Sequence, residues 1–203
     1  MASEPSSARR YRGTDADERR AQRRCQLITA AIAVYGERGY RQATVKAVCE
    51  AAGLTERYFY ESFANSEALL LASYQAVLHA LLTELAEAGQ AAGRARRARV
   101  RAMLRAYFHS LQRDPRSARV YLVEIRGVSP AVDQALDASL REFGRGLARE
   151  LAPDAPPDDL LTAGVVGGVM HVALRWIADG HRPTLDDVTD TALRLCLTLL
   201  PPR

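Results

Sequence analysis

The sequence is poor in the residues that mark secreted and metal-binding proteins. Its 203 residues include three cysteines and one tryptophan. Cys25, Cys49 and Cys196 form no CxxC pair and no metal-ligand spacing, so we expect reduced thiols at apolar helical positions and no metal site. The polar N-terminus, from Met1 to Ala8, lacks the apolar segment of a signal peptide. We therefore expect a cytoplasmic protein.

Motifs of catalysis and cofactor binding are also lacking. The chain has no phosphate-binding loop, no HExxH and no glycine-flanked nucleophile. The four histidines are scattered, at positions 79, 109, 171 and 181. A lone helical histidine is more often structural than catalytic. We expect neither an enzyme nor a bound cofactor.

Alternation of apolar and polar residues, which half-buried strands require, is not sustained anywhere. Apolar residues instead recur at helical spacing, and glycine or proline punctuates the chain between these segments. The pattern predicts an all-α protein of about nine helices, an N-terminal three-helix head followed by a helical bundle. After the head, a long helix is expected to start at Ser66. Five further helices are expected at roughly residues 94–113, 116–126, 130–151, 158–179 and 185–200.

Three regions follow from this reading. Residues 1–18 are polar and without apolar periodicity, which predicts a flexible basic arm. Its Arg9, Arg10 and Arg12 either contact DNA in the minor groove or remain solvated, and both interpretations stay open. Residues 19–65 are expected to bind DNA, and residues 66–203 to sense a ligand and dimerise.

The segment from Thr44 to Phe63 has the pattern of a helix-turn-helix. Thr44 caps one short helix, Gly53 lies in a tight turn, and Thr55 caps the next helix. Phe59 and Phe63 lie one turn apart and are expected to face a small core. The second helix of such a unit enters the major groove of DNA. Its outward side chains are then Glu56, Arg57, Tyr60 and Glu61.

These residues resemble the TetR family of transcriptional regulators. The similarity rests on several spaced elements together: Gly39-Tyr40, Thr44-Val45, Ala52-Gly53-Leu54, and Phe59-Tyr60 followed by Phe63. The resemblance implies a helix-turn-helix head and a C-terminal helical domain. It also implies a homodimer that forms through the last two long helices and a small-molecule site inside the bundle.

The resemblance further implies which residues bind DNA. Thr44 and Tyr60 match positions that contact phosphates, and Lys46 matches one that can reach a base edge. The remaining DNA-binding positions lie at the leading end of the recognition helix: Thr55, Glu56, Arg57 and Tyr58.

Two positions depart from the family pattern. Ser62 stands where the family usually has an aromatic residue or histidine, and Ser66 stands where it usually has lysine. Both usual residues brace phosphates, so this protein either loses those contacts or compensates elsewhere. Glu56 and Glu61 oppose non-specific binding, although a carboxylate can accept a hydrogen bond from cytosine.

Residues 160–177 are almost wholly apolar and contain a GxxxG spacing. Such a segment fits either a membrane helix or a helix buried between its own core and a partner subunit. His171 and Arg175 interrupt it, and no second such stretch exists, so we favour the subunit interface and expect no membrane partner. The expected interface residues are Gly164, Gly167, Gly168, Leu195 and Leu199.

A ligand site inside the bundle is expected where bulky or polar residues fall on apolar helix faces. The expected lining is Met103, Tyr107, Tyr121, Glu124, Met170, His171 and Trp176. Ordinary core packing is the alternative for each of them. A mostly apolar cavity with a few polar groups suits a small apolar or amphipathic ligand.

Six arginines cluster between positions 94 and 105. The cluster has the composition of a nucleic-acid patch, but it lies in the regulatory half of the chain. We therefore interpret it as the solvated start of a helix.

The sequence thus predicts a homodimeric repressor that binds double-stranded palindromic operator DNA and is released by a ligand. The competing hypothesis is a helical ligand-binding or protein-interaction module with weakened DNA binding. Glu56, Ser62 and Ser66 are the residues that keep this alternative open.

Overall fold

The computed structural model of the protein describes residues 7–154, 156 and 158–200, with side chains from residue 17 onwards. These residues contain nine α-helices and no strand, which confirms the all-α prediction. The helices are α1 (Ser7–Arg38), α2 (Val45–Ala52), α3 (Glu56–Ser62), α4 (Ser66–Ala91), α5 (Arg96–Arg113), α6 (Pro115–Arg119), α7 (Pro130–Leu151), α8 (Asp159–Ala178) and α9 (Leu185–Cys196).

The first helix is longer than its apolar pattern predicts. α1 begins at Ser7, whereas the sequence placed its start at Glu18 and interpreted residues 1–18 as a flexible arm. Residues 7–18 contain no proline and are rich in alanine, arginine and acidic residues. A segment of this composition can form a helix without an apolar stripe. Residues 1–6 lie outside the described part of the chain. The contacts expected of Arg9, Arg10 and Arg12 lie outside the described side chains.

Residues 116–126 do not form the single α-helix that the sequence predicts. α6 is followed at once by a π-helical turn, Val120–Glu124. Its residues Val120, Tyr121 and Leu122 are all buried. An α-helix turns each successive residue by about 100°, so three buried neighbours in a row are unusual. Single π-turns are rare, and they often occur at functional sites.

The chain divides into two compact units, residues 1–73 and 74–203. In the first unit, α1, α2 and α3 pack against one another. Their shared core contains Leu27, Ala31, Val34, Tyr35, Val48, Cys49, Phe59 and Phe63. Gly53 ends α2 in the left-handed conformation, with φ of 65°, and glycine adopts this conformation without strain. The predicted turn between α2 and α3 therefore forms.

The second unit is a bundle in which α5 packs on α9 and α7, while α8 packs on α7 and α9. Trp176 of α8 lies in its core. The indole Nε1 donates a hydrogen bond to the Pro183 carbonyl at 2.7 Å, and the ring packs edge-on against Phe108 at 5.6 Å. This hydrogen bond satisfies the polar atom of a fully packed side chain.

Two helices of the described residues, α4 and α8, are long and apolar enough to cross a membrane. The expectation that residues 160–177 form the only such stretch was therefore wrong. Core helices of soluble proteins meet the same criterion. α8 buries Val165, Val169 and Ala173 within the bundle. This burial is what the core-helix interpretation of residues 160–177 requires.

The three cysteines do not all occupy apolar positions. Cys49 and Cys196 are buried, as expected, but Cys25 is exposed. Cys25 lies two residues before the buried Leu27 on α1, and two residues correspond to about 200° around a helix. The expectation for Cys25 was therefore wrong.

Gly144 permits a close approach between α7 and α8. A Cβ atom at Gly144 would lie 2.6 Å from Cγ2 of Thr162 and 3.2 Å from Cγ2 of Val166. Both neighbours are buried and β-branched, so they have little freedom to move. Gly146, two residues later on the same helix, has nothing within 4 Å of its Cβ position.

We predict opposite effects for alanine at these two glycines. Gly144→Ala should lower the free energy of unfolding by about 1–3 kcal/mol, because α7 and α8 must separate. Gly146→Ala should raise it by up to about 1 kcal/mol, since alanine is the better helix former. Chemical denaturation of both variants tests this. Equal stabilities would mean that the two helices are not in tight contact.

Candidate DNA-binding and ligand sites

The recognition helix α3 presents one face to the core and the other to solvent. Phe59 is completely buried, whereas the adjacent Tyr60 is 62% exposed. Thr44 caps α2, and its Oγ1 accepts a hydrogen bond from the Ala47 backbone N–H at 3.1 Å. The hydroxyl of Thr55, which precedes α3, makes no such capping bond. The Thr55 hydroxyl is thus available to a phosphate oxygen.

The structure places the predicted DNA-binding residues together on the outer surface of α2 and α3. Six of them are exposed, and Tyr58 is half-buried. The side chains of Lys46 and Arg57 are 74% and 84% exposed. Their contacts with DNA remain predictions.

Two acidic residues of α2 and α3, Glu50 and Glu61, are paired with basic ones. Glu61 Oε1 accepts from Arg57 Nε at 3.0 Å, and Glu61 Oε2 lies 4.0 Å from an Arg23 nitrogen. Lys46 Nζ lies 3.9 Å from Glu50 Oε1. Exposed pairs of this kind contribute little free energy, so Lys46 and Arg57 can exchange them for DNA at small cost. The repulsion anticipated from Glu61 is correspondingly reduced.

Three arginines of α1 hold the C-terminal end of α3, and we call them the arginine clamp: Arg20, Arg23 and Arg24. Arg20 Nη2 donates to the Glu61 carbonyl at 2.8 Å, and Arg24 Nη1 donates to the Ser62 carbonyl at 3.1 Å. These carbonyls belong to the last turn of α3, which carries partial negative charge.

The clamp also contacts aromatic rings. The Arg24 guanidinium lies 4.2 Å from the Phe63 ring centroid, and that of Arg23 lies 4.5 Å from the Tyr58 ring. The clamp was not predicted from the sequence, because no role was assigned to the arginines of α1 after residue 18. Their spacing on one face of α1 was the available signal.

The two departures from the family pattern have different surroundings. The Ser66 Oγ lies 3.3 Å from the Tyr40 hydroxyl. The Ser62 Oγ is buried without a hydrogen-bond partner among the described residues. Neither side chain supplies a positive charge.

A small cavity of about 30 Å³ lies within the bundle. Four of the seven residues predicted to line a ligand site surround it: Met103, Tyr107, Tyr121 and Met170. The other lining residues are Leu85, Val100, Leu104, Phe143, Leu147, Val166, Val169 and Cys196. Such a volume holds about one water molecule, so the site is almost closed.

The other three predicted lining residues lie elsewhere. Glu124 binds Arg119 through an ion pair of 2.7 Å. His171 lies on the exposed face of α8, and Trp176 packs in the core near Pro183. The apolar pattern of a helix identifies a buried face but does not distinguish a cavity from filled core.

Two tyrosine rings, Tyr107 and Tyr121, line the cavity. Tyr121, from the π-helical turn, stacks on Tyr74 of α4 with ring centroids 6.0 Å apart and planes within 7°. Tyr107 meets Tyr121 edge-on at 6.4 Å. Burial raises the pKa of Tyr107 and of Tyr121 well above the usual tyrosine range, so both hydroxyls stay protonated.

The glycines predicted for the dimer interface do not share one environment. Cβ positions at Gly164 and Gly167 meet nothing within 4 Å, whereas that at Gly168 lies 3.5 Å from Leu195 Cδ1 of the same chain. Leu195 and Leu199 are half-buried. The exposed apolar stripe of α8 consists of Leu160, Gly164 and Gly167, and Leu160 is 87% exposed. Gly168 thus belongs to the packing of α8 on α9.

The arginine cluster of α5 makes ion pairs within the bundle. Arg99 Nε lies 2.7 Å from Glu150 of α7, Arg101 Nε lies 2.7 Å from Asp190 of α9, and Arg105 Nε lies 3.1 Å from Asp186 of α9. These contacts join neighbouring helices and favour the structural interpretation over a nucleic-acid patch.

A family model described as bacterial regulatory proteins of the tetR family matches residues 27–73 of the chain. These residues include α2, the turn at Gly53 and the whole of α3. Over these residues the chain is similar to the tetR family.

A curated relative of the protein is a transcriptional regulator. The chain is 26% identical over 169 residues to the HTH-type transcriptional activator FasR of Mycolicibacterium smegmatis, an alignment that covers 81% of this chain and 76% of the relative. The family match and this relative confirm that the protein is a DNA-binding transcriptional regulator.

Solved structures share the whole architecture. The fatty acid degradation regulator FadR from Bacillus halodurans has a TM-score of 0.74 and 21% identity, covering 89% of this chain and 97% of its own. FadR from Bacillus subtilis, in complex with stearoyl-CoA, has a TM-score of 0.73 and 20% identity, covering 87% and 99%. These similarities establish the fold, a helix-turn-helix head followed by a C-terminal helical domain.

We predict that Arg24→Gln weakens operator binding by about threefold to tenfold, because the end of α3 loses a charged hydrogen bond. A lost phosphate contact would also reduce the slope of log affinity against log salt by about 0.9, whereas a lost brace leaves that slope unchanged. Titrations at several salt concentrations, on operator DNA selected from a random pool, distinguish a lost phosphate contact from a lost brace. Arg38→Gln, which removes the same charge from an exposed site at the end of α1, is the control. A reduced slope for Arg24→Gln alone would assign Arg24 to the DNA.

Proposed function

We propose that this regulator is a cytoplasmic homodimer that represses transcription from a palindromic operator and leaves it when a ligand binds. The observation that carries the proposal is the exposed surface of α2 and α3, with Lys46, Arg57 and Tyr60 outward and Phe59 buried. Residues 19–65 form the DNA-binding domain. Residues 66–203 sense the ligand and dimerise.

Dimerisation is supported by the exposed stripe of α8. Leu160 is exposed, and Gly164 and Gly167 carry no side chain on the same surface of α8. This surface therefore permits the close approach of another helix. A second copy of the chain is the occupant that a palindromic operator requires. Two recognition helices reach successive major grooves only when they are about 34–36 Å apart.

The ligand is proposed to carry a long apolar chain. The cavity lining is apolar except for tyrosine hydroxyls, and a related fold, FadR of Bacillus subtilis, is described in complex with stearoyl-CoA. The cavity of about 30 Å³ holds no such chain, so the bundle must open to bind one. If only the closed bundle is compatible with the operator, ligand and DNA weaken each other equally.

The direction of regulation needs its own evidence. Repression is the expectation from the family resemblance, whereas the relative from Mycolicibacterium smegmatis is named an activator. No residue is proposed to be catalytic.

The alternative is a helical ligand-binding or protein-interaction module with weakened DNA binding. Ser62 and Ser66 support it, since neither supplies the phosphate-bracing group usual in the family. The arginine clamp argues the other way, because an α3 that reads no DNA needs no such brace.

We predict that selection from random double-stranded DNA at moderate salt recovers an inverted repeat. A reporter driven by the recovered sequence should show lower output when the protein is present. Selection with the Arg57→Ala variant should lose preference at particular bases, by about 1–3 kcal/mol per contact if the contact is bidentate. Failure to recover any consensus would favour the alternative module, and higher reporter output would make the protein an activator.

We predict that Gly167→Leu disrupts the dimer, because the added side chain projects from the exposed stripe of α8 into the partner. Gly146→Leu is the matched control, since it places the same side chain on an exposed helical glycine of α7. Sedimentation velocity should show monomers for the first variant and dimers for the second. A dimer that tolerates Gly167→Leu would place the interface on another surface.

A further inference from the structure

The carboxylate of Glu61 lies between two arginines that differ in exposure. Its Oε1 accepts a hydrogen bond from Arg57 Nε at 3.0 Å, and its Oε2 lies 4.0 Å from Arg23 Nη2. The Arg57 side chain is 84% exposed, whereas that of Arg23 is 24% exposed. Glu61 therefore connects the outward arginine that is expected to reach DNA bases with the arginine clamp of α1.

The clamp holds Glu61 from the side of α1. Arg20 Nη2 donates to the Glu61 backbone carbonyl at 2.8 Å. The Arg23 guanidinium also packs on the Tyr58 ring, 4.5 Å from its centroid, and this contact keeps it near the carboxylate. Glu61 is thus held without help from Arg57. Its carboxylate keeps a cationic neighbour when Arg57 leaves.

Two kinds of DNA contact compete with the Glu61 carboxylate for Arg57. A phosphate is an anion like the carboxylate, so the exchange of one for the other brings little net gain of free energy. A guanine edge offers two acceptors to one guanidinium, and such a bidentate contact is stronger than an exposed ion pair. The ion pair therefore opposes a phosphate contact more effectively than it opposes a base contact.

We propose that Glu61 determines how well the DNA-binding unit distinguishes its operator from other DNA. Glu61 keeps Arg57 away from phosphates on non-specific DNA and releases it to a base edge of the operator. Arg23 remains beside the carboxylate in both cases. Glu61 is thus a specificity-determining residue that acts through Arg57 without touching DNA itself. This inference rests on the proposed function, in which α3 reads a palindromic operator.

Glu61→Gln removes the charge and keeps the size of the side chain. The full-length protein is titrated with the operator selected from random DNA, and with a fragment of the same length and base composition in scrambled order. We expect the affinity for the scrambled fragment to rise about threefold to tenfold at low salt, because Arg57 gains a phosphate contact. The affinity for the operator should change by less than about twofold, since Arg57 already contacts a base there.

The salt dependence distinguishes this role from a structural one. One added phosphate contact should steepen the slope of log affinity against log salt by about 0.9 on the scrambled fragment. Loss of a merely structural carboxylate would lower the thermal midpoint and leave that slope unchanged. Asp179→Asn is the matched control, because Asp179 also pairs with an arginine four residues away, Arg175 of the bundle. This control should leave the ratio of the two affinities unchanged.

The Arg57→Ala background tests whether Glu61 acts through Arg57. In that background, Glu61→Gln should leave the affinity for the scrambled fragment and its salt slope unchanged, because the arginine to be released is absent. The four proteins form a double-mutant cycle, which isolates the coupling between the two residues. An equal effect of Glu61→Gln in both backgrounds would overturn the proposal.

Two further results overturn the proposal. If Glu61→Gln raises both affinities by the same factor, Glu61 only repels DNA. If it lowers the affinity for the operator alone, Glu61 itself contacts a base. In each of these cases the wild-type protein still prefers its operator, so the proposed function stands. Failure of the selection to recover any operator overturns the proposed function, and this inference with it.

Discussion

The recognition helix has only seven residues, and the DNA-binding unit depends on the contacts that hold it in place. Isolated helices of this length are not stable in water. α3 is ordered by the burial of Phe59 beneath it and by the arginine clamp at its C-terminal end. Arg20 and Arg24 of the clamp donate to backbone carbonyls. Part of the positive charge in this region is therefore structural, and the net charge of +4 overstates what is available to DNA.

The same division between structural and available charge holds in the bundle. Arg99, Arg101 and Arg105 bind carboxylates of α7 and α9. Arg126 has no such partner among the described residues, and its Nη2 lies 3.7 Å from Sδ of Met170, a residue of the cavity wall. Nearly every basic residue of this chain is arginine. The role of each arginine therefore depends on the group that it binds, and composition alone does not identify that group.

The fold and the exposed outer surface of α2 and α3 could be predicted because they depend on local signals. Apolar periodicity, the capping Thr44 and the left-handed Gly53 each act within a few residues. The arginine clamp could not be predicted in this way, since it joins residues about 40 positions apart. The π-helical turn was not predicted for another reason. Burial of Tyr121 and its neighbours overrides the period of a regular helix. Of the residues expected to line a ligand site, Met103, Tyr107, Tyr121 and Met170 meet at one cavity, while Glu124, His171 and Trp176 face other surroundings.

The small volume of the bundle cavity has a consequence for selectivity. A closed bundle must separate before any chain can enter, and this cost is the same for a short chain as for a long one. Each methylene buried contributes about 0.8 kcal/mol, so only chains above a certain length offset the opening cost. Short-chain metabolites would then be rejected without any clash against the wall. The tight packing of the resting state would itself select ligands by chain length.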